Sequence, residues 1–593
     1  MVKMLNADLL YCGEEYAYKK QKITEDNVFE DLKISKIFEF CAPLNLDSIN
    51  AKDIKYSLEI LKKPCHVKKD ILYRQGIFKN LLANPGLVNN LYDNLQDASV
   101  LVRIRETYDF DYGGETGIEY LKAVNYIFFI KSYILFINNI YEMMKNFDLG
   151  SADSGLRILF EEIKTEKNKF DSPEVFGPVE EFLQRFNNKQ NITGELQTQS
   201  GVFNYFNFDW DARNIKCSYE KATGKKREPF FELLKSIEDF LDIYRQEYEI
   251  REKGRSFKNR AGQGEELYTP EKYTNFEKHF ILQLIYDEEA ENNASFEPLV
   301  KRILEIHDSI DITCFIKLAE QIRFYRTVCK IISIVSAHID CAVCYPEIAE
   351  DTVKFEINGI IDTVVAAQKL SDYLEKNKTG NLPENKISGV VPNDIAFGGK
   401  EDGGKRLFVV TGPNNGGKTA FARALGTAAV FFGAGAPIFA QSAVLPAGLD
   451  VLTHFTADET HLMESGRLQH ELNRLAALTA KSDNFSLVIL NETFAGTNST
   501  KALSLFQDFL KERERLEFLC VYVTHFHNIA FYIEEHGEKL RECGNLIALI
   551  DPEAHVRTYK VRQANPSDTS YSRDIVIKHE LSWEQISAKL SIV

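Results

Sequence analysis

The chain has 593 residues, of which 44% are hydrophobic and 27% are charged, and its formal net charge is −16 at pH 7. This length is too great for a single hydrophobic core, so we expect several domains. The negative net charge argues against a protein whose whole surface binds nucleic acid. It does not exclude a local basic patch, because binding follows the distribution of charge.

The ten cysteines are scattered, and residues 1–6 lack the charged-then-apolar pattern of a signal peptide. Reduced thiols in a cytoplasmic protein are therefore the simplest interpretation. Cys341 and Cys344 have the spacing of metal ligands but no second pair, so we predict that they pack in the core of an apolar helical stretch. The best candidate for a membrane span, 126–140, is interrupted by a lysine and an asparagine, and no span is predicted.

The first part of the chain predicts helices. Residues 1–120 carry apolar side chains at the spacing of one helix face, which indicates short helices joined by loops. Residues 118–147 indicate one long, aromatic-rich helix. Residues 151–186 indicate another amphipathic helix, with interruptions at Pro173 and Pro178, because proline breaks the helical hydrogen-bond pattern.

The middle of the chain contains a predicted insertion at 187–270, and residues 273–350 then return to long helices. A basic run in the insertion favours contact with a phosphate backbone, where each neutralised phosphate releases counterions. A solvated loop is the alternative, and both interpretations stay open. The candidate DNA-binding residues of this run are Arg251, Lys253, Arg255, Lys258 and Arg260.

From residue 386 onward, strand-like runs alternate with helices, which predicts an α/β layer. The runs are 407–410, 487–490, 519–523 and 546–550. The sequence from Thr411 to Thr419 follows the first run and has the G-x-x-x-x-G-K-[ST] spacing of a phosphate-binding loop. An ordinary glycine-rich turn is the much weaker alternative.

Each residue type in this loop suits an anion. Glycines let backbone N–H groups approach phosphate oxygens, and the start of a helix adds the positive end of its dipole. We expect Lys418 to reach the β- and γ-phosphates and the Thr419 hydroxyl to bind Mg²⁺. The predicted phosphate-binding residues are Gly412, Pro413, Asn414, Asn415, Gly416, Gly417, Lys418 and Thr419.

Polar residues end the next two predicted strands. Glu492 fits the role of the base that orients an attacking water. Asn491 stands where P-loop ATPases usually carry an acid, and its amide accepts a hydrogen bond from a metal-bound water but supplies no charge. His525, which follows the third strand-like run, is well placed to sense the γ-phosphate.

Together these segments resemble the MutS family of ABC-type DNA repair ATPases. The T-G-P-N-x-G-G-K form of the loop is much more specific than a general phosphate-binding loop. The matching segments keep the family's order at 391–395, 411–419, 440–441, 455–456, 465–467, 487–492, 496–497 and 524–526.

The resemblance implies a multidomain protein with a mostly α-helical core and lever region ahead of a C-terminal α/β P-loop ATPase domain. The implied domains are 1–120 as the first part of the core, 121–385 as core and lever with a clamp-like insertion, and 386–593 as the ATPase domain with a helical tail. Mismatch-sensing members carry an N-terminal domain with a Phe-x-Glu wedge. Here the helical core begins almost at once, so we expect recognition of DNA structure rather than of a mismatch.

The family also implies a homodimer that binds ATP and Mg²⁺, with helical arms closing around duplex or branched DNA. ATP would lie between Lys418 of one subunit and the signature loop of the other, for which Ser465 is the nearest match. Further nucleotide-site residues implied by the resemblance are Val391, Asn393, Gln441 and Asn491, of which Asn491 would hold Mg²⁺ through water.

Three functions follow from these observations. The first is a Mg²⁺-dependent ATPase, with Glu492 and His525 as catalytic residues, that opens and closes a DNA clamp in repair or recombination. The second is a nucleotide-gated binding module with little hydrolysis, suggested by Asn491 in place of an acid. The third is an ATPase whose partner is a protein, suggested by the acidic net charge.

Overall fold

The computed structural model divides the chain into two compact units, the first comprising 1–7, 90–147 and 158–319 and the second comprising 8–89, 148–157 and 320–593. The predicted basic run at 251–260 and the end of the predicted helical tail lie outside the residues that the structure describes. Those residues are 8–12, 24–41, 49–106, 119–151, 154–187, 293–349, 354–377, 382–398, 404–456, 464–551 and 556–566.

Helices dominate the first half of the described chain. Their bounds are α1 Asp26–Asp31, α2 Ile34–Cys41, α3 Ala51–Leu61, α4 Lys68–Ala83, α5 Pro85–Glu106, α6 Glu119–Lys145, α7 Gly155–Phe170, α8 Pro173–Asn187, α9 Phe296–Asp308, α10 Thr313–His338, α11 Thr363–Asn377, α12 Lys418–Gly433, α13 Glu464–Lys481, α14 Ser499–Leu516 and α15 His527–Glu535. No described helix is both long enough and apolar enough to cross a membrane.

The strands of the described residues all lie in the second unit. They are β1 Glu347–Ile348, β2 Phe355–Ile360, β3 Asn393–Phe397, β4 Leu407–Thr411, β5 Ser442–Leu445, β6 Asp450–Phe455, β7 Ser486–Asn491, β8 Leu519–Val523, β9 Cys543–Ile550 and β10 Arg557–Gln563. The four strand-like runs predicted from the sequence are confirmed as β4, β7, β8 and β9.

In the first unit, the predicted long aromatic helix is confirmed as α6. Its Tyr133 is buried and donates a hydrogen bond to Glu166 Oε1 at 3.0 Å. The predicted interruption at Pro173 is also confirmed, because α8 begins there, at a position where the missing N–H costs nothing. The predicted interruption at Pro178 is wrong, since α8 continues through that residue.

The second unit contains two β-sheets. The larger has the strand order β10-β9-β4-β8-β7-β6, with all pairs parallel except β10 with β9. The smaller has the order β1-β5-β2-β3 and is antiparallel except for β1 with β5. β4, β7 and β8 are buried along their whole length, as expected of parallel strands covered on both faces.

Side chains on β7 show how both faces of the larger sheet are covered. Ile489 points to α12, where its Cδ1 atom lies 2.9 Å from the position that a Cβ on Gly426 would take. Val488 and Leu490 point to the other face and pack in a hydrophobic cluster with residues of α14 and α15. Because successive side chains of a strand point to opposite faces, α12 covers one face of the sheet, and α14 and α15 cover the other.

The smaller sheet begins earlier in the chain than the sequence indicated. β1 and β2 precede residue 386 and pair with β5 and β3, so this layer draws on a stretch that was predicted to be helical up to residue 350. The placement of Cys341 and Cys344 within a helix is wrong, because α10 ends at His338. Both thiols are half-buried, and this burial raises the pKa of each to about 11, which keeps them protonated.

Helix α1 covers the outer strand of the larger sheet. The Asp31 carboxylate at its end accepts hydrogen bonds from Thr453 Oγ1 at 2.7 Å and from the Phe455 N–H at 3.2 Å. The same carboxylate oxygen pairs with the Arg474 guanidinium of α13 at 2.8 Å. The edge of β6 is therefore occupied by residues from near the start of the chain.

Candidate functional site

The glycine-rich loop joins β4 to α12 with a backbone that other residues would not tolerate. Gly412 and Gly417 have φ angles of 132° and 95°, in the region that favours glycine. A Cβ on Gly412 would lie 2.9 Å from the carbonyl oxygen of Ala548, and one on Gly416 would lie 2.9 Å from that of Pro413. Glycine at these positions therefore lets the loop, here called the cradle, pack against β9 and against its own backbone more closely than a residue with a side chain would allow.

Lys418 closes the cradle from its own helix. Its ammonium group donates hydrogen bonds to the carbonyl oxygens of Gly412 at 2.9 Å and Pro413 at 3.1 Å, and the residue is only 5% exposed. Burial lowers its pKa, and the negative charge of Glu492 acts in the opposite direction. Both of its hydrogen-bond acceptors are neutral carbonyls, and burial disfavours the charged ammonium, so an incoming anion would stabilise the lysine.

Thr419 and Asn491 meet across the loop. The Thr419 hydroxyl donates to Asn491 Oδ1 at 3.0 Å, and Asn491 is the last residue of β7. These are oxygen ligands of the kind that Mg²⁺ accepts, but both are neutral. The described residues contain no cluster of three or more His, Cys, Asp or Glu side chains that could hold a metal ion. The pair therefore fits a Mg²⁺ ion that takes its remaining ligands from water and phosphate oxygens.

Glu492 and His525, predicted separately from two strand ends, lie side by side. Asn491 is in register with Val523 in the parallel pair β7 and β8, so the next residues of both strands emerge together. Glu492 Oε2 lies 2.5 Å from His525 Nδ1. A carboxylate paired with an imidazole at the edge of an anion site can take up and hold a proton.

The turn that presents Glu492 is strained. Glu492 and Phe494 have φ angles of 56° and 71°, a region in which residues other than glycine are uncommon. Each such residue costs on the order of 1–3 kcal/mol and persists only where the surroundings hold it. Strained backbone of this kind is concentrated at functional sites, and here it adjoins the predicted base.

A cavity of about 840 Å³ unites most of the predicted residues. Its lining includes Val391, Asn393, Asn414, Asn415, Gly416, Gly417, Lys418, Thr419 and Glu492. The predicted residues that are not among the lining residues are Gly412, Pro413, Gln441, Asn491 and His525. The Gln441 backbone N–H donates to the Asn358 carbonyl at 2.9 Å. Ser465 is the second residue of α13, and its side chain lies outside the described part of the structure.

Tyr559 also lines the cavity, and no sequence pattern predicted it. Its ring atom Cδ1 lies 3.4 Å from the position of a Cβ on Gly417, and the residue is 49% exposed. Asn393 fixes this part of β10 by donating to the Tyr559 carbonyl at 3.2 Å and accepting from the Val561 N–H at 2.7 Å. A half-exposed aromatic ring beside a phosphate cradle offers a stacking surface for a planar base.

An ion pair between Arg423 and Asp362 also lines the cavity. Arg423, one turn after Thr419 on α12, donates from Nε to Asp362 Oδ2 at 2.9 Å. The other oxygen of Asp362 accepts from the Val364 N–H at 2.9 Å, at the start of α11. The pair joins two helices that line the cavity, and it too was missed, because residues 61 positions apart in sequence leave no local pattern.

Comparison with known proteins points to one family. Residues 408–582 match the family model described as MutS domain V. DNA mismatch repair protein MutS of Thermotoga maritima is 29% identical over 187 residues, which cover 31% of this chain and 22% of that protein. DNA mismatch repair protein MutS of Fervidobacterium nodosum is 22% identical over 331 residues, which cover 53% of this chain and 37% of that protein.

MutS protein homolog 4 of Mus musculus is 23% identical over 341 residues, which cover 53% of this chain and 34% of that protein. In each of these comparisons the chain spans well under half of the relative's length. The residues of this chain that match the family model include the glycine-rich loop and the two strand ends that carry Glu492 and His525.

Proposed function

Because the chain belongs to the MutS family, we propose that it is an ATPase whose nucleotide state controls a helical clamp on duplex or branched DNA. The observation that best supports ATP binding and hydrolysis is the convergence of the glycine cradle, Lys418 and Glu492 on one cavity. Its role would lie in DNA repair or recombination. Because the chain spans well under half the length of these relatives, the activity and partners of the whole chain are proposals.

The chain's own residues have distinct tasks in this proposal. The cradle and Lys418 bind the triphosphate, and Thr419 with Asn491 holds Mg²⁺, partly through water. Bound Mg²⁺ offsets the negative charge of the β- and γ-phosphates. Glu492 accepts a proton from the attacking water, and His525 holds the carboxylate in place and contacts the γ-phosphate.

The remaining tasks concern the base and the partner molecules. Tyr559 stacks on the nucleotide base at the open side of the cradle. Two copies of the chain face each other, so that Ser465 of one reaches the nucleotide of the other. The basic run at 251–260 contacts the DNA backbone. The dimer and DNA assignments extend the family resemblance to this chain, whereas the Tyr559 assignment is supported by its place beside the cradle.

DNA affinity measured against salt concentration, with and without ATP, tests the proposal most directly. We expect the logarithm of the affinity to fall linearly with the logarithm of the salt concentration, because backbone contacts release counterions. We also expect ATP to change the affinity, and a forked duplex to bind differently from a linear one. A chain that binds ATP but shows no DNA affinity even at low salt would instead favour a protein partner.

A second candidate function is a nucleotide-gated module with little hydrolysis. The Thr419 to Asn491 hydrogen bond supports it, because both partners are neutral where ATPases of this type usually place a carboxylate. In this case the chain would bind Mg²⁺ and ATP and respond to them, but it would turn over slowly.

Replacing Asn491 by aspartate distinguishes the two candidates. If the absent charge limits turnover, Asn491→Asp is expected to raise the rate of ATP hydrolysis about tenfold, equivalent to about 1.4 kcal/mol of added stabilisation of the transition state. Steady-state phosphate release measures the rate. Asn50→Asp makes the same chemical change at the N-cap of α3, where aspartate caps equally well, and should leave the rate unchanged. An unchanged rate in Asn491→Asp would contradict the idea that charge is limiting.

A further inference from the structure

A buried hydrogen-bond network lies directly beneath the turn that carries Glu492. His454 Nδ1 of β6 and Thr493 Oγ1 are 2.9 Å apart. The Tyr522 hydroxyl of β8 donates to the Thr493 carbonyl oxygen at 2.8 Å. Each of these three residues is at most 1% exposed, so water does not compete for the hydrogen bonds.

Tyr522 connects the two strand ends that carry the predicted catalytic pair. Burial raises the pKa of its hydroxyl, and the negative charge of Glu492 raises it further. Tyr522 itself lies three residues before His525 along β8 and its continuation. The phenol thus ties β8, close to its end, to the residue that follows Glu492 after β7.

The network also holds the strained backbone. Thr493 lies between Glu492 and Phe494, the two residues with positive φ. Its side chain is fixed by His454 and its carbonyl by Tyr522. Phe494 is 1% exposed and packs in the hydrophobic cluster of the larger sheet. The strained turn is therefore held at both its polar and its apolar sides, as a conformation of this kind requires.

We propose that Thr493 and Tyr522 are positioning residues that fix the Glu492 carboxylate and the His525 imidazole relative to each other and to the phosphate cradle. They contact neither the nucleotide nor the attacking water. They act by setting the direction in which the turn after β7 leaves the sheet. The proposal rests on the proposed ATPase function, because it concerns the geometry of the hydrolytic step.

Two substitutions remove single hydrogen bonds and keep the shape of the side chain. Tyr522→Phe removes the phenol oxygen, and Thr493→Val removes the hydroxyl that meets His454. Each is expected to lower kcat for ATP hydrolysis about tenfold or more, because small misplacements of a catalytic group are costly. The Kd for ATP should change by less than about twofold, since the cradle and Lys418 are untouched. Thr493→Ser keeps the hydroxyl and should recover most of the lost kcat.

Tyr325→Phe is the matched control. Tyr325 is fully buried in the same unit, and its hydroxyl donates to a backbone carbonyl, that of Leu9, outside the residues that line the cavity. It should lower the Tm to a similar degree as Tyr522→Phe without lowering kcat. Equal losses of kcat in both tyrosine variants, or a loss of ATP affinity at unchanged kcat, would overturn the positioning role.

The two proposals fail in different ways. If the unaltered chain does not hydrolyse ATP, the ATPase function is contradicted, and the positioning role, which has no reaction to act on, is overturned with it. If the unaltered chain hydrolyses ATP and Tyr522→Phe and Thr493→Val do so at the same rate, only the positioning role is overturned.

Discussion

Replacing Lys418 by alanine is expected to lower the affinity of the chain for ATP by about a hundredfold or more. A hydrogen bond to a charged group contributes about 1.5–3 kcal/mol, and about 1.4 kcal/mol corresponds to a factor of ten in affinity. Lys418 now makes two hydrogen bonds to loop carbonyls, and in the proposed complex its ammonium group exchanges them for phosphate oxygens. Isothermal titration calorimetry with ATP measures the change.

Two further variants make this measurement specific. Lys405 also donates to a backbone carbonyl, that of Cys543, but it lies outside the residues that line the cavity, so Lys405→Ala should bind ATP normally. Tyr559→Ala removes only the stacking surface, and we expect a smaller loss of about tenfold, because stacking of a base on an aromatic ring contributes about 1–3 kcal/mol. Normal ATP binding by Lys418→Ala would show that the cradle does not hold the triphosphate.

Replacing Glu492 by alanine is expected to slow ATP hydrolysis by at least about a hundredfold while ATP still binds. General-base catalysis contributes about 10²–10⁴ to the rate, and the carboxylate beside His525 is the candidate base at the cavity. The variant should therefore accumulate bound ATP rather than ADP. Single-turnover hydrolysis and analysis of the bound nucleotide measure both effects.

Glu517→Ala provides a control that matches the backbone as well as the chemistry. Glu517 has a φ angle of 58°, close to the 56° of Glu492, and it follows α14 at the surface, where its carboxylate lies 3.5 Å from Arg406. Glu517→Ala also replaces a glutamate that has a left-handed backbone conformation, so the cost to the backbone should be similar. It should leave the rate of ATP hydrolysis unchanged. A parental rate of hydrolysis in Glu492→Ala would show that another group serves as the base.

Local patterns predicted the parts of the site that are continuous in sequence. The buried run ahead of the loop, the glycine spacing and the polar strand ends each occupy a few adjacent residues, and the structure has the corresponding strand, turn and helix. Parallel neighbours then bring the ends of β7 and β8 together, which explains why two separate predictions meet at the pair of Glu492 and His525.

The remaining parts depend on pairing between distant segments. β2 is interrupted by Gly359, which weakens a strand pattern, and its partners β3 and β5 lie far along the chain. Tyr559 sits in a strand of polar and charged residues with a φ angle of 57°, a combination that no periodicity predicts. Its place in the cavity depends on Asn393, more than 160 positions earlier in the chain.

The cover that Asp31 and α1 provide over β6 limits how the chain can be divided. An uncovered outer strand presents unpaired N–H and C=O groups that recruit strands from other molecules. A fragment that starts at residue 386 would leave β6 bare and would also remove β1 and β2 from the smaller sheet. The part of the chain from residue 386 onward is therefore best produced together with the amino-terminal helices, because the isolated part would tend to self-associate through its open edges.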